Sequence, residues 1–378
     1  MDFTLSEEHA LLRASLGQFL QQRYGFAERT AASRSEPGYR PEIWTALGSE
    51  LGVLGMTIPE AHGGMGGGAV EQMILMEEAG RALLLEPVSE TLFQAGWLLQ
   101  QAGGDMAGDL LSQVAAGSLK LAVALGEPGM RYDLADMATS AVKEADGWRL
   151  DGNKAVVMAA PWADRLIVAA RTAGVAGDGS GLSLFIVDPA AAGVTLHSCP
   201  TIDGRRAADI DLVGVRVPAE ALIGPEGGAL PMLEAMRDRA IAAQAAEAAG
   251  LLGKLLDDTV DYTKQRSQFG QPLASFQVLQ HRMVDMYMQV EMVRSAAILA
   301  TLKLDGDPVE RAKAASAAKV TIANACRFVG QNAVQLHGGM GMTDELAIGH
   351  YFKRATLLES EHGSADWHLA RHAALMAG

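Results

Sequence analysis

Between about Leu119 and Gly224 the apolar residues of this chain stop recurring every three or four positions and gather into short β-type runs. LKLAVAL, WRLDGNKAVV, DRLIVAAR, LSLFIVD and DIDLVGVRV are each bounded by Gly, Pro, Asp or Ser. On either side the spacing is helical. A chain whose period changes twice places a sheet between two helical units, so the expected class is α+β and multidomain. The boundaries fall at 1–118 for an N-terminal helical domain, 119–228 for a middle β-sandwich or barrel-like domain, and 229–378 for a C-terminal four-helix bundle. The length of 378 residues agrees, because a single core usually serves roughly 100–200.

Thr4 and Glu7 fit a capping box, after which Leu11, Leu12, Leu16, Phe19 and Leu20 recur at helical spacing. Further helices are expected over about 41–52, 69–84, 89–102 and 106–117, interrupted by HGGMGGG (His62 to Gly68). Within the β-unit, Asp151-Gly152 signals a hairpin turn, and RTAGVAGDGSG (Arg171 to Gly181) a second hairpin connection. Helical periodicity returns near 229–265, 275–304, 307–336 and 363–377.

Lys plus Arg total 31 against 45 Asp plus Glu, and the net charge of −14 repels a nucleic-acid backbone. Cys199 and Cys326 lie far apart without metal-ligand spacing, so both are expected to be buried thiols in a reducing compartment. Glu127 and Asp133 are too few for a metal centre and His281 and His337 are dispersed, so no metal site is expected. MDFTLSEEHALL lacks the basic, then apolar, pattern of a signal peptide, and AIAAQAAEAAGLL is broken by Gln244 and Glu247 short of a membrane span. A soluble, cytoplasmic protein is expected.

HGGMGGG lacks the Lys-Ser/Thr of a P-loop and the context of a dinucleotide fingerprint, which leaves it a turn between helices. RSQFGQP (Arg266 to Pro272) ends one long helix and turns into the next, presenting Arg266 beside Phe269 with Gln277 further along. Such an arginine can fork onto a pyrophosphate, or simply complement a helix C-terminus. QLHGGMGM (Gln335 to Met342) ends another helix in glycines, which either cap it or admit a ligand to the backbone.

Together, and in this order after a β-unit, these two segments resemble the FAD-binding signature of the acyl-CoA dehydrogenase family. LGVLGMTIPEAHGGMGGG, GEP followed by DGNK, and YFKRATLL extend the resemblance over almost the whole chain. It implies the acyl-CoA dehydrogenase fold, FAD as cofactor, desaturation of an acyl-CoA thioester between its α and β carbons, and an electron-transfer flavoprotein as acceptor. It also implies that Arg266, Phe269, Gln277, Gln335, Leu336, His337, Gly338 and Gly339 reach across a dimer interface to the adenosine and pyrophosphate of a neighbour's FAD.

The departures from the family pattern are equally informative. Members that hold the isoalloxazine carry TEP…GSD and Trp-Ile-Thr in the β-domain, where this chain has Gly126-Glu127-Pro128…Arg131-Tyr132-Asp133 and Val156-Val157-Met158. The base that removes the α proton is usually a Glu before Gly-Thr. Aligning Gly363-Ser364 with that pair puts His362 in the slot and Glu361 one residue earlier. The alternative family location falls near Ala240, with Asp238 the nearest acid. Glu361, His362 or neither serves as the base.

RYDLADMAT, SFQVLQHR and RFVGQNAVQLHGGMGMT resemble the small-subunit type of the family, such as the pimeloyl-CoA dehydrogenase small subunit and the degenerate partners in heteromeric bacterial enzymes. That resemblance implies a sister subunit holding flavin and base in an α2β2 assembly. A self-sufficient homotetramer using Glu361 or His362, and a flavin-free structural or regulatory homologue, are the alternatives.

Overall fold

The computed structural model describes residues 4–377. Its helices are α1 (Glu7–Arg23), α2 (Phe26–Arg34), α3 (Pro41–Ser49), α4 (Ala69–Ala82), α5 (Trp97–Ala102) and α6 (Asp105–Ala115). After the β-region come α7 (Leu230–Gln265), α8 (Gln277–Lys303), α9 (Pro308–His337), α10 (Ala347–Leu358) and α11 (Ala365–Ala377). Between them lie β1 (Leu121–Ala124), β2 (Ser140–Glu144), β3 (Gly147–Met158), β4 (Arg165–Arg171), β5 (Leu182–Val187), β6 (Val194–Pro200), β7 (Arg206–Pro218) and β8 (Leu222–Ile223). Helices, sheet, helices is the order that the change of hydrophobic period predicts.

The chain divides into two compact units, one of Met1–Thr30, Ala69–Leu84 and Ile241–Gly378, the other of Ala31–Gly68 and Leu85–Ala240. In the first, α7, α8 and α9 bury one face each, with Ala245, Leu252, Val290, Val293, Ile322 and Val329 in a common core. Small residues let the helices approach closely. A Cβ at Gly80 would stand 2.0 Å from the Glu247 carbonyl oxygen, and one at Gly250 1.8 Å from that of Glu77, so α4 and α7 pack backbone to backbone. The helix α8 is apolar on a second side as well, where Val284, Met288, Met292 and Leu299 are exposed.

The second unit is built on one sheet in the order β6-β7-β3-β2-β4-β5-β8, with β1 parallel beside β4. Neighbours are otherwise antiparallel apart from a short parallel contact of β2 with β4. Its core gathers Leu150, Leu166, Val168 and Ile210 around Trp148 and Phe185, whose rings meet edge to face at 5.4 Å.

Several local expectations are corrected. The cap of α1 is Ser6, whose Oγ accepts from the His9 N–H at 3.2 Å, and not Thr4: Thr4 alone fits the capping box with Glu7, but serine is an equally good cap and the helix starts two positions later. Asp151-Gly152 makes no hairpin. The strand β3 runs straight through it, and the chain reverses between Glu144 and Gly147. Gly152 is needed for close approach, because a Cβ there would lie 2.8 Å from Thr139 Cα.

The helical stretch expected over 89–102 begins as a π-helix, Ser89–Gly96, and α2 and α10 arise where no helix is expected from periodicity. Cys326 is buried, and burial pushes its thiol up to about 12, but Cys199 is exposed because β6 is an edge strand with one face to solvent. Among the described residues no helix is long and apolar enough to cross a membrane.

Candidate functional site

At the end of α7 the Arg266 N–H donates to the Tyr262 carbonyl at 2.8 Å, and the chain folds into a tight hairpin with Ser267-Gln268 paired to Gln271-Pro272. Phe269 and Gly270, at φ of 54° and 79°, occupy its two central positions, the left-handed pair that a two-residue hairpin favours. The turn thrusts Phe269 outward, 91% exposed, with its ring edge-on to Phe276. Arg266, and Gln277 at the first turn of α8, are exposed with it.

The second motif ends α9. Gly338, at φ 60°, stops the helix, and a Cβ on Gly338 or Gly339 would meet nothing within 4 Å, so this backbone is open to an approaching group. Gln335 is exposed, whereas Leu336 and His337 are buried and offer only their main chain outward.

One residue absent from the expected set joins the two motifs. The Tyr262 ring stacks on the imidazole of His337 at 4.2 Å between centroids and 25° between planes, and its hydroxyl donates to the His337 carbonyl at 3.4 Å. His337 Nδ1 donates to the Ala333 carbonyl at 2.8 Å. Burial holds this imidazole below its ordinary pKa, against the opposing effects of Ala333 and Asp258. The only sequence signal for Tyr262 is an aromatic one helical turn before Arg266.

In the second unit, Lys154 is fully buried and Glu127 nearly so, and they pair at 2.7 Å. Burial pulls the Lys154 ammonium down to about 8 despite the neighbouring carboxylate. Burial acts to raise Glu127, but Lys154 and the N–H donors of Thr139, at 3.0 Å, and Ala138, at 2.7 Å, hold it below the usual carboxylate range. This pair ties the GEP segment to β3; Asp133 caps a short turn by accepting from the Ala135 N–H. Among the described residues no group of His, Cys, Asp and Glu is arranged to hold a metal ion.

The Val156-Val157-Met158 triplet lies where the β3–β7 register shifts. Val156 sits at φ 52° with its side chain 63% exposed, and its N–H donates to Asp209 Oδ1 at 2.8 Å. A β-branched residue is disfavoured in that region, so the bulge imposes this conformation on the valine. Tyr132, at the other departure, is half-buried, and its carbonyl accepts from Arg237.

The slot before Gly363-Ser364 belongs to the first unit. Glu361 turns into a buried polar network: Gln244 donates to it at 2.7 Å, and Arg354 lies 3.3 Å away while gripping Glu247 through bonds of 2.6 and 2.8 Å. Lys319 completes the network, donating to Gln244 Oε1 and to the Leu358 carbonyl at the end of α10. His362 follows at φ 58°, half-buried, its carbonyl accepting from His368 Nε2 at 3.0 Å. Near the alternative location, Asp238 and Ala240 are both buried.

Sequence models of the acyl-CoA dehydrogenase N-terminal, middle and C-terminal domains match residues 6–105, 122–214 and 232–376. This chain therefore belongs to the acyl-CoA dehydrogenase family, FAD-dependent oxidoreductases of acyl-CoA thioesters, and has the fold of that family. It is 31% identical to the acyl-CoA dehydrogenase FadE12 of Mycobacterium tuberculosis over 94% of this chain and 92% of that protein. Among solved structures it is similar to a chain of the Tcur3481-Tcur3483 steroid ACAD, at 34% identity, TM-score 0.89 and 99% coverage of both chains. It is also similar to a chain of the ChsE4-ChsE5 complex from Mycobacterium tuberculosis, at 26% identity and TM-score 0.90, covering 100% of this chain and 99% of that one.

Proposed function

We propose that this chain is one subunit of an α2β2 acyl-CoA dehydrogenase that desaturates an acyl-CoA thioester, and that it completes the adenine side of a flavin site whose isoalloxazine side and catalytic base lie on a sister subunit. The observation that carries this proposal is an asymmetry. The exposed Arg266, Phe269, Gln277 and Gln335 and the open Gly338-Gly339 backbone are held together through Tyr262 and His337. The β-domain meanwhile offers an exposed valine where flavin-holding members carry an aromatic platform.

The first group fits the adenosine and pyrophosphate end of FAD. Arg266 supplies a forked cation, Phe269 a flat apolar surface, the glutamines amide donors and acceptors, and the glycines room for backbone contact. The second group does not fit the isoalloxazine end: Gly126 and Val156-Val157-Met158 provide neither hydroxyl nor ring. Bound FAD supplies the hydride acceptor, and an electron-transfer flavoprotein is the acceptor beyond it.

Glu361 is poorly placed as a base, because Gln244 donates to it and Arg354 lies 3.3 Å away, which orients it into the network. Its role here is to hold the turn after α10. The exposed apolar side of α8 is suited to burial against another subunit, and two of the similar solved structures carry two-protein names.

Arg266→Ala, introduced into this chain and co-expressed with its sister, tests the assignment. Flavin absorbance per heterodimer is expected to fall by more than half, roughly the loss of one charge-assisted contact. Full flavin occupancy in that variant would show that Arg266 holds no part of the cofactor.

A further inference from the structure

Apart from the residues assigned to the flavin, the first unit contains a cavity of about 520 Å³, bounded by α1, α2, α4, α7 and α10. That volume lies inside the roughly 300–1,000 Å³ of small-molecule sites. Glu78 lines it, only 9% exposed, and among the described residues its carboxylate has neither a hydrogen-bond nor an ion-pair partner.

A buried carboxylate without a donor is unusual, since its desolvation goes uncompensated. Burial, reinforced by Glu77 and opposed by Arg81 and Arg13, raises its pKa. Gly17 keeps space beside it, because a Cβ there would stand 3.1 Å from Glu78 Oε2. Three cations, Arg29, Arg81 and Lys254, line the same cavity with one further acid, Asp258; Arg81 stands 3.6 Å from Asp257, and Lys254 pairs with Asp258. Leu20 and Tyr351 add apolar surface to its lining.

We infer that this cavity is a binding site for a small amphipathic hydroxy-carboxylate, its hydroxyl donating to Glu78, its hydrocarbon body against Leu20 and Tyr351, and its carboxylate at Arg81 and Lys254. Each part answers a feature of the cavity. An O–H donor satisfies Glu78 without burying a second charge, and the anionic end meets two cations that remain partly hydrated. The site shares no lining residue with the hairpin or the glycine turn, so it is independent of the flavin assignment.

Calorimetric titration of the full chain, or of its complex with the sister subunit, with 10-hydroxydecanoate and with decanoate tests the inference. The hydroxylated acid is expected to bind at least about tenfold more tightly, the worth of one hydrogen bond to a charged group. Glu78→Leu is expected to erase that preference while raising the thermal midpoint of the ligand-free protein by about 2 °C, because an unpaired buried charge is removed. Ala82→Phe fills the cavity from a half-exposed position and is expected to abolish binding of both acids, giving an independent check should Glu78→Leu fail to fold. Equal affinity for the two acids, no binding of 10-hydroxydecanoate, or a preference that survives in Glu78→Leu overturns the assignment.

Discussion

The carboxylate of Asp209 accepts the N–H of Val156 at 2.8 Å, and this bond helps to hold a β-branched residue in the left-handed region. Left-handed backbone costs an L-residue about 1–2 kcal/mol that glycine does not lose. Val156→Gly is therefore expected to stabilise the protein by about 1 kcal/mol, less the backbone entropy of glycine. Asp209→Ala is expected to destabilise it by a similar amount. Urea unfolding of the two variants measures both signs; destabilisation by Val156→Gly would mean that the side chain is packed and not strained.

The Lys154–Glu127 pair is buried at both ends. Removing one partner leaves a buried charge without its counter-ion, which costs about 3–5 kcal/mol, whereas replacing both with apolar residues is often near neutral. Glu127→Gln is expected to lower stability by that amount, and Lys154→Met with Glu127→Met to recover most of it. A single variant as stable as the parent would remove the pair as the tether of the GEP segment.

Lys319 gives a pH signature. Burial lowers its pKa from 10.5 to about 8, with Glu361 opposing the shift. Between those values the unfolded chain binds more protons at this site than the native one, so this lysine's contribution to stability rises with pH across the window. The stability of the parent relative to Lys319→Met is expected to increase by about 1–3 kcal/mol from pH 7.5 to 10. Chemical unfolding at several pH values follows it, and a flat or falling difference contradicts the burial of a charged amine.

Glu361 and His362 bear on the chemistry. In the complex with the sister subunit, Glu361→Gln and His362→Ala are expected to leave acyl-CoA turnover within about twofold, whereas loss of a general base typically costs 10²–10⁴-fold. Steady-state assays decide, and a hundredfold fall in either variant would return the base to this chain.

How far the sequence discloses this molecule depends on the distance over which each feature acts. The period change, the helix end at Arg266 and the glycine stop at Gly338 are local and legible. Asp151-Gly152 misleads because glycine there serves a contact with Thr139, which only strand pairing brings near. Arg354 and Glu247, separated by 107 positions, carry no mutual signal, and neither do Tyr262 and His337. Glu78, within MEEAGR, reads as an exposed helix face until α4 is packed beside Gly17.

The central claim is that this chain supplies the adenine half of a flavin site and lacks the isoalloxazine half. Flavin-to-protein stoichiometry, read by absorbance on the chain purified alone and co-purified with its sister subunit, tests it most directly. The expected result is little flavin and no acyl-CoA oxidation for the chain alone, and about one flavin per heterodimer in the complex, in line with a site that spans two subunits. A chain that by itself carries one flavin per protomer and oxidises acyl-CoA would contradict it.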